Sequence, residues 1–318
     1  MRRVIHSLSI AAVVFALLTI LFGAATTSTD SGMAFPDWPT SDGKWLFGYP
    51  WSELAISSQA FFEHHHRELA AVTGMVCVVL WFFIFFCVEN RRIKFLVNCV
   101  MLGIIFQGGL GGLTVHYKLE ARAFSVLHAV LGQGLVAFLG MLVALTSKSW
   151  NDSVSSKRYT GKIFYYLPWI LLIQLFLGAI YRHKGDVSYL FIHASFALVV
   201  SFACFYTVIS VFSQCKDNPM MRRLGGIIGV LLILQLGLGV MVFSQRMSRG
   251  TLQFEKVAIQ GAQVKVTTPR DRSLTATAHV FIGAMMLVAA SALRMRAIGN
   301  LEPKIGGEDD STSAKIPA

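Results

Sequence analysis

Residues 61–88 read FFEHHHRELAAVTGMVCVVLWFFIFFCV. A glutamate, three consecutive histidines and an arginine stand at the head of the segment, and the rest is almost continuously apolar. At 1.5 Å per residue, a helix over the apolar run 66–88 is long enough to cross a hydrocarbon layer about 30 Å thick. Seven more runs of this kind occur, at about 8–27, 93–115, 125–146, 163–181, 189–212, 224–244 and 275–294. The chain therefore reads as an all-α polytopic membrane protein with eight transmembrane helices. The runs are continuous rather than alternating, which argues against a membrane β-barrel. Of the 318 residues, 54% are hydrophobic and 14% charged, against roughly 25% charged in soluble domains, and the mean hydropathy is +0.59.

The net charge of +11 would raise nucleic acid as a partner of a soluble protein. Here the basic residues follow membrane topology instead. Arg2 and Arg3 precede the first span. Arg91, Arg92 and Lys94 lie between the second and third. Lys148, Lys157, Arg158 and Lys162 lie between the fourth and fifth, and Lys216, Arg222 and Arg223 between the sixth and seventh. The short alternate loops carry fewer, which places both termini in the cytoplasm. The long last outer loop is basic too, but long loops translocate largely regardless of charge. MRR before an apolar run also fits a signal peptide, yet the run is long and its removal would break the pairing of odd and even spans, so an uncleaved span is expected. The five cysteines, Cys77, Cys87, Cys99, Cys204 and Cys215, form no CxxC or CxxCH motif, and no structural disulfide is expected.

An internal repeat runs through the odd spans. QGGLGGLTV (107–115), QLFLGAIYR (174–182) and QLGLGVMVF (235–243) share Gln-x-x-Leu-Gly near their outer ends, and LFGAATT (21–27) is a weaker copy without the glutamine. Small residues there let helices, or a flat ligand, approach closely. Each even span starts on the outer side with one histidine: His66, His128, His193 and His279. The organisation is two tandem four-helix halves, 1–146 and 163–296, with a cytoplasmic linker at 147–162 and a disordered polar tail at 297–318.

A single histidine inside a membrane helix is ordinarily an interhelical hydrogen bond. Four at equivalent repeat positions point to a shared purpose. Neutral imidazole is an axial ligand of heme iron, and two facing helices with one histidine each build a bis-histidine site in a bundle. Zinc or copper would want more ligands nearby. The halves differ in one respect. Glu63 stands three residues before His66, on the same helix face, where the other copies have Ser125, Leu190 and Ala276. Arg67 follows His66, where the others have Ala129, Ala194 and Val280. Glu63 is either an acid/base or charge-stabilising group beside a heme pocket or half of an i,i+4 ion pair with Arg67; spacing alone leaves both open.

These residues carry a resemblance to the heme A synthase family. Glu63–His66–Arg67 resembles the start of that family's second helix and selects His66 from the triplet. QGGLGGLTV with His128, LGAIYRHKG with His193, and His279 are similar to its later helices. TTSTDSGMAFPDWP (26–39) is similar to its first outer segment. The resemblance covers residues 1–296. It implies oxidation of a ring methyl of heme O to the formyl group of heme A, by successive hydroxylations and loss of water, for cytochrome oxidase biogenesis. It implies that His193 and His279 hold a prosthetic heme b in the C-terminal half. His66 and His128 would then hold heme O as substrate, with Glu63 catalytic.

Arg67, Arg122 and Arg182 are candidates for the heme propionates or for positioning. The expected location is a bacterial inner membrane, multi-pass. Beyond lipid and heme O, the heme O-producing farnesyltransferase, oxidase assembly factors and a second copy of the chain are candidate partners; nucleic acid is not. Many family members carry a cysteine pair in the first outer loop, and residues 28–60 contain none. A small β-hairpin is expected over LQFEKVAI and QVKVTT in the last outer loop. The rival readings are a di-heme cytochrome b that only transfers electrons, and a heme transporter.

Overall fold

The computed structural model describes residues 1–55, 57–118, 122–147, 161–257 and 270–298, the stretches 248–257 and 270–272 by backbone only. The described elements are α1 (Arg2–Ser28), a 3-10 turn (Leu46–Gly48), α2 (Trp51–Leu54), α3 (Ser58–Cys87), α4 (Arg91–His116), α5 (Arg122–Thr146), α6 (Ile163–Lys184), α7 (Val187–Gln214), α8 (Pro219–Val257) and α9 (Arg270–Ile298). Eight of them, all but the 3-10 turn and the short α2, are long and apolar enough to cross a membrane. Among the described residues there is no strand, only an isolated bridge between Ser41 and Lys44.

Several helices begin beyond the apolar runs because polar side chains cap them. The Ser57 hydroxyl accepts from the Ala60 amide at 3.3 Å, Asn90 accepts from Arg92 and Ile93, and Asp186 accepts from Ser188 at 2.8 Å. Each satisfies an amide that has no partner within its own helix. At α3 the result matters for function. The helix starts at Ser58, so Glu63, the three histidines and Arg67 all have helical geometry. Gly185 ends α6 in the left-handed region at φ 76°, leaving two residues before α7.

Packing neighbours form two rings. α1 contacts α3, α3 contacts α4, α4 contacts α5, and α5 closes back on α1; α6, α7, α8 and α9 repeat the order. The rings meet through α5 and α9, flanked by α1 on α9 and α5 on α6. Each ring has its own apolar core, and α5 and α9 are the most buried spans. Lipid chains are as apolar as leucine, so close fit rather than water exclusion holds such helices together. Gly140 shows this at the centre: a Cβ there would lie 3.0 Å from the Val288 carbonyl oxygen of α9.

Polar ties add register at both ends. Where α1 ends, Arg182 of α6 donates to the Ala24 carbonyl and the Ser28 hydroxyl, each at 2.7 Å, and Thr277 of α9 donates to Ser28 at 2.9 Å. A guanidinium at the C-terminal turn of α1 also complements that helix's dipole. At the other end, Arg2 and Arg296 donate to the carbonyl and hydroxyl of Ser147. α1 is an integral part of the core, with Ile5, Ala12, Val13 and Ala16 buried. The hairpin expected in the last outer loop takes another form in its first arm: α8 continues as helix through LQFEKV to Val257, and the second arm lies outside the described residues. Most of the linker and nearly all of the tail lie outside them too. The five cysteines are unpaired thiols.

Candidate functional site

The three consecutive histidines on α3 go three ways, because successive residues of a helix point about 100° apart. His64 turns into the segment joining α1 to α3, with Nδ1 at 3.1 Å from the Ser41 hydroxyl and its ring 4.8 Å from that of Tyr49. His65 bonds back to the Phe61 carbonyl and packs on Phe61 and Trp51. His66 alone faces His128 of α5, with ring centroids 6.2 Å apart and planes at 77°. In the second ring His193 of α7 faces His279 of α9, again at 6.2 Å and at 79°.

The repeat in the preceding helices explains this match. Each histidine ring lies against the glycine of the Leu-Gly or Phe-Gly step. A Cβ on Gly23, Gly178, Gly239 or Gly111 would stand 2.7, 2.9, 3.3 or 3.4 Å from the Cε1 atom of His66, His193, His279 or His128, in that order. Four residues earlier, backbone carbonyls receive the ring nitrogen. His66 Nδ1 donates to Thr19 O at 2.9 Å and His193 Nδ1 to Gln174 O at 3.1 Å. The weak copy in α1 works without glutamine because the acceptor is main chain. The glutamines hold the backbone of the facing helix instead: Gln107 and Gln174 donate to the carbonyls of His128 and His193, both at 3.0 Å.

A proton fixed on Nδ1 leaves Nε2 with its lone pair free for a metal. A metal–imidazole bond of about 2 Å on each side, plus the distance from each ring centre to its own nitrogen, fills a centroid gap of the observed size. In the second pair the Gln235 amide nitrogen donates to His279 Nε2 at 3.2 Å, which marks that nitrogen as an acceptor. Buried polar atoms without a bonding partner gather here: Gln107 Oε1, His128 Nδ1, Gln174 Oε1, Gln235 Oε1 and His279 Nδ1. Such atoms are costly to leave unmatched. Two facing imidazoles, small residues alongside and unmatched polar atoms fit a bis-histidine heme at each pair. Among the described residues no group of three or more His, Cys, Asp or Glu side chains converges as a bare-ion site.

Glu63 and Arg67 form an ion pair at 2.6 Å, and both are buried. The pair does more than brace a helix turn. Glu63 Oε2 accepts from the Ala34 and Phe35 amides at 2.6 and 3.3 Å. Arg67 donates to the carbonyls of Phe35, Asp37 and Thr40 at 3.2, 2.6 and 2.5 Å. Three donors facing the carboxylate suit its ionised form. The guanidinium is thereby taken up in positioning residues 34–40 over this end of α3. Within that segment, Asp37 accepts from the Thr40 hydroxyl and from the Asp42 and Gly43 amides. Burial pushes the Asp37 carboxyl up, and these bonds outweigh it and hold the group below its ordinary 3.8.

The other arginines are placed differently. Arg122 is exposed and donates to the Lys184 carbonyl at 3.0 Å. Arg182 ties α6 to the end of α1, between the rings. Thr19 and Gly23, which lie against His66, and Trp38, which lies on Gly112, were not singled out by spacing. The incomplete repeat of α1 and the PDWP element were their only signals.

Residues 6–190 match the COX15-CtaA family of cytochrome oxidase assembly proteins. The chain belongs to this family. The matched stretch holds the first histidine pair, Glu63 and Arg67, and ends just before His193. Similar proteins are each called heme A synthase. That of Shewanella oneidensis is 32% identical over 145 residues, 42% of this chain and 43% of that protein. That of Symbiobacterium thermophilum is 26% identical over 246 residues, 74% of each chain. That of Bacillus licheniformis is 25% identical over 194 residues, 58% of this chain and 61% of that protein. The alignment with the Shewanella protein thus spans less than half of that relative's length.

Proposed function

We propose that this chain is a heme A synthase that oxidises a ring methyl of heme O to a formyl group for cytochrome oxidase assembly. The observation that carries the reading is asymmetry on a repeated frame. Two histidine pairs share one geometry, and among the described residues only the first has a buried carboxylate–guanidinium pair and a long outer segment clamped beside it. Membership of the family and the names of the relatives support the same activity.

On this reading the chain divides at 147–162 into a substrate half and a prosthetic half. His66 and His128 take the substrate, heme O, between them. His193 and His279 hold heme b, which when bound supplies a one-electron acceptor inside the same bundle. Thr19 O and Gln174 O keep His66 and His193 in the tautomer that presents Nε2. Gly23, Gly111, Gly178 and Gly239 let the Cε1 edge of each ring sit close against the neighbouring helix, so the ligands are set before anything binds. Glu63, paired with Arg67, places a carboxylate one helical turn from His66, where it can act on charge developing at the reacting methyl. Two hydroxylations of that methyl, each taking its oxygen from water and passing two electrons to an acceptor outside the chain with release of two protons, give a gem-diol, and loss of water from it leaves the formyl group. Arg122 and Arg182 lie at the histidine end and are the candidates there for anionic propionates. The charge bias of the loops supports placing that end on the outside of a bacterial inner membrane, facing away from both termini, and the farnesyltransferase that makes heme O is the natural supplier.

The test is chemical. The chain is co-expressed with a heme O-producing farnesyltransferase in a host lacking heme A, and extracted hemes are resolved by mass-detected chromatography. Heme A or its hydroxymethyl precursor is expected, and both should vanish in Glu63→Ala and His66→Ala. Unchanged heme O together with a bis-histidine spectrum would establish the electron-transfer cytochrome instead.

A further inference from the structure

The outer segment between α1 and α3 runs from Thr29 to Ser57, whereas the matching connection in the second ring is Gly185 and Asp186 alone. Its backbone is fixed. Phe35, Tyr49 and Leu54 form a small core of their own, and Glu63, Arg67 and His64 bond it to α3. From that anchor the chain crosses to α4. The six-membered ring of Trp38 lies on Gly112, where a Cβ would be 3.1 Å from two of its carbons. Gly112 adjoins Gly111, the seat of His128. The stretch 35–38 thus reaches from one turn beyond His66 to the residue beside the His128 seat. It joins α3 to α4 beside the first pair and has no counterpart between α6 and α7.

Trp38 differs from the segment that carries it. The backbone around it is bonded, yet the side chain is 48% exposed and rests on α4 by one face. We infer that Trp38 is the movable outer wall of the first histidine pair, which retains and orients a porphyrin there while the clamped backbone stays in place. This rests on the reading of that pair as a porphyrin site. An indole is flat, rigid and apolar, and suits the edge of a flat macrocycle. Glycine at 112 is what allows it to lie close to the α4 backbone. Swinging one side chain about its two torsions opens the wall without breaking the bonds to Glu63 and Arg67. The competing role is a membrane-interface anchor, a place where tryptophan is common. Trp45 and Trp51, at 68% and 70% exposure, are the controls for that role.

The experiment measures heme release. Purified full-length wild type, Trp38→Ala, Trp38→Phe, Trp45→Ala, Gly112→Val and His66→Ala are loaded with ferric heme B, and its transfer to excess apomyoglobin is followed by absorbance. His66→Ala should lose one heme pool, which identifies the phase belonging to the first pair. Trp38→Ala and Gly112→Val should speed release of that phase by about ten-fold, with the second pool unchanged. Trp38→Phe should restore most of the retention, and Trp45→Ala should match wild type. The second pool's unchanged spectrum serves as the check on folding. Wild-type release from Trp38→Ala overturns the inference, as does equal acceleration by Trp45→Ala. If His66→Ala keeps the full heme complement, the porphyrin reading of the first pair falls as well.

Discussion

Glycine and histidine meet in this protein at single-atom precision. The four seats are not equally tight: a Cβ would come within 2.7 Å of His66 and 2.9 Å of His193, but stays 3.3–3.4 Å from His279 and His128. The first two distances demand that the ring move; the last two ask for a few tenths of an ångström. Gly23→Ala and Gly178→Ala should therefore each cost about 1–3 kcal/mol of overpacking and lose the heme of one pair. Gly111→Ala and Gly239→Ala should keep most of theirs. Heme content per protein by pyridine hemochrome, with the thermal midpoint of each variant, checks the order. Equal losses across the four would show that the seats do not position the rings. At this same scale the HHH triplet was only partly legible. Helical spacing shows that its members diverge, but which one finds a partner depends on where α5 stands.

Among the described residues, the outer segment between α1 and α3 is the longest stretch outside the spans, and it is closely tied down. Its bonds include a titrating group with a depressed pKa. Burial pushes the Asp37 carboxyl up, but the Thr40 hydroxyl and the Gly43 and Asp42 amides hold it below 3.8. A carboxyl depressed in the folded state stabilises it above its unfolded pKa, and loses that effect as pH falls through the folded value. The segment should thus keep its protection above about pH 4 and loosen below it. Hydrogen exchange at residues 34–44 between pH 6 and pH 3 reads this directly. Asp37→Asn should be loosened already at pH 6 and respond less to acid. A wild-type segment whose protection is flat down to pH 3 would remove Asp37 from the account. PDWP and the acidic residue were visible in sequence, but nothing in their spacing said that they would be fastened to Glu63 and Arg67. Those bonds are to backbone groups, which leave no trace in residue type.

For the molecule as a whole, the two rings share one seam. α5 and α9 cross closely at Gly140, where a Cβ would sit 3.0 Å from Val288 O and 3.1 Å from its side chain. Gly140→Val should wedge the rings apart, lower stability by about 1–3 kcal/mol and weaken both heme pools together, unlike Gly178→Ala, which should touch one. Thermal unfolding in detergent with heme spectra separates the two patterns. Loss confined to a single pool in Gly140→Val would mean that the seam does not couple the rings. Arg182 adds a second tie across the rings at the histidine end. Sequence offered it, with Arg67 and Arg122, as a basic residue of the outer end for propionates or positioning; its partners on α1, the Ala24 carbonyl and the Ser28 hydroxyl, belong to a distant stretch of chain and could not be read there.

The class of protein, the eight spans, the four histidines at matched depth and the glutamine–glycine repeat are all written in the order of residues. Length, apolarity and periodicity are local properties, and a bilayer acts on each helix almost independently of the others. What those residues do to one another came from packing. It set His66 rather than its neighbours against His128, turned the repeat glycines into seats for imidazole rings, and made Glu63 and Arg67 the clamp of an outer segment. Each of these depends on a helix–helix distance held to a few tenths of an ångström. Such distances arise only when the two rings close and α5 packs on α9, because in lipid it is the fit between surfaces that selects the arrangement.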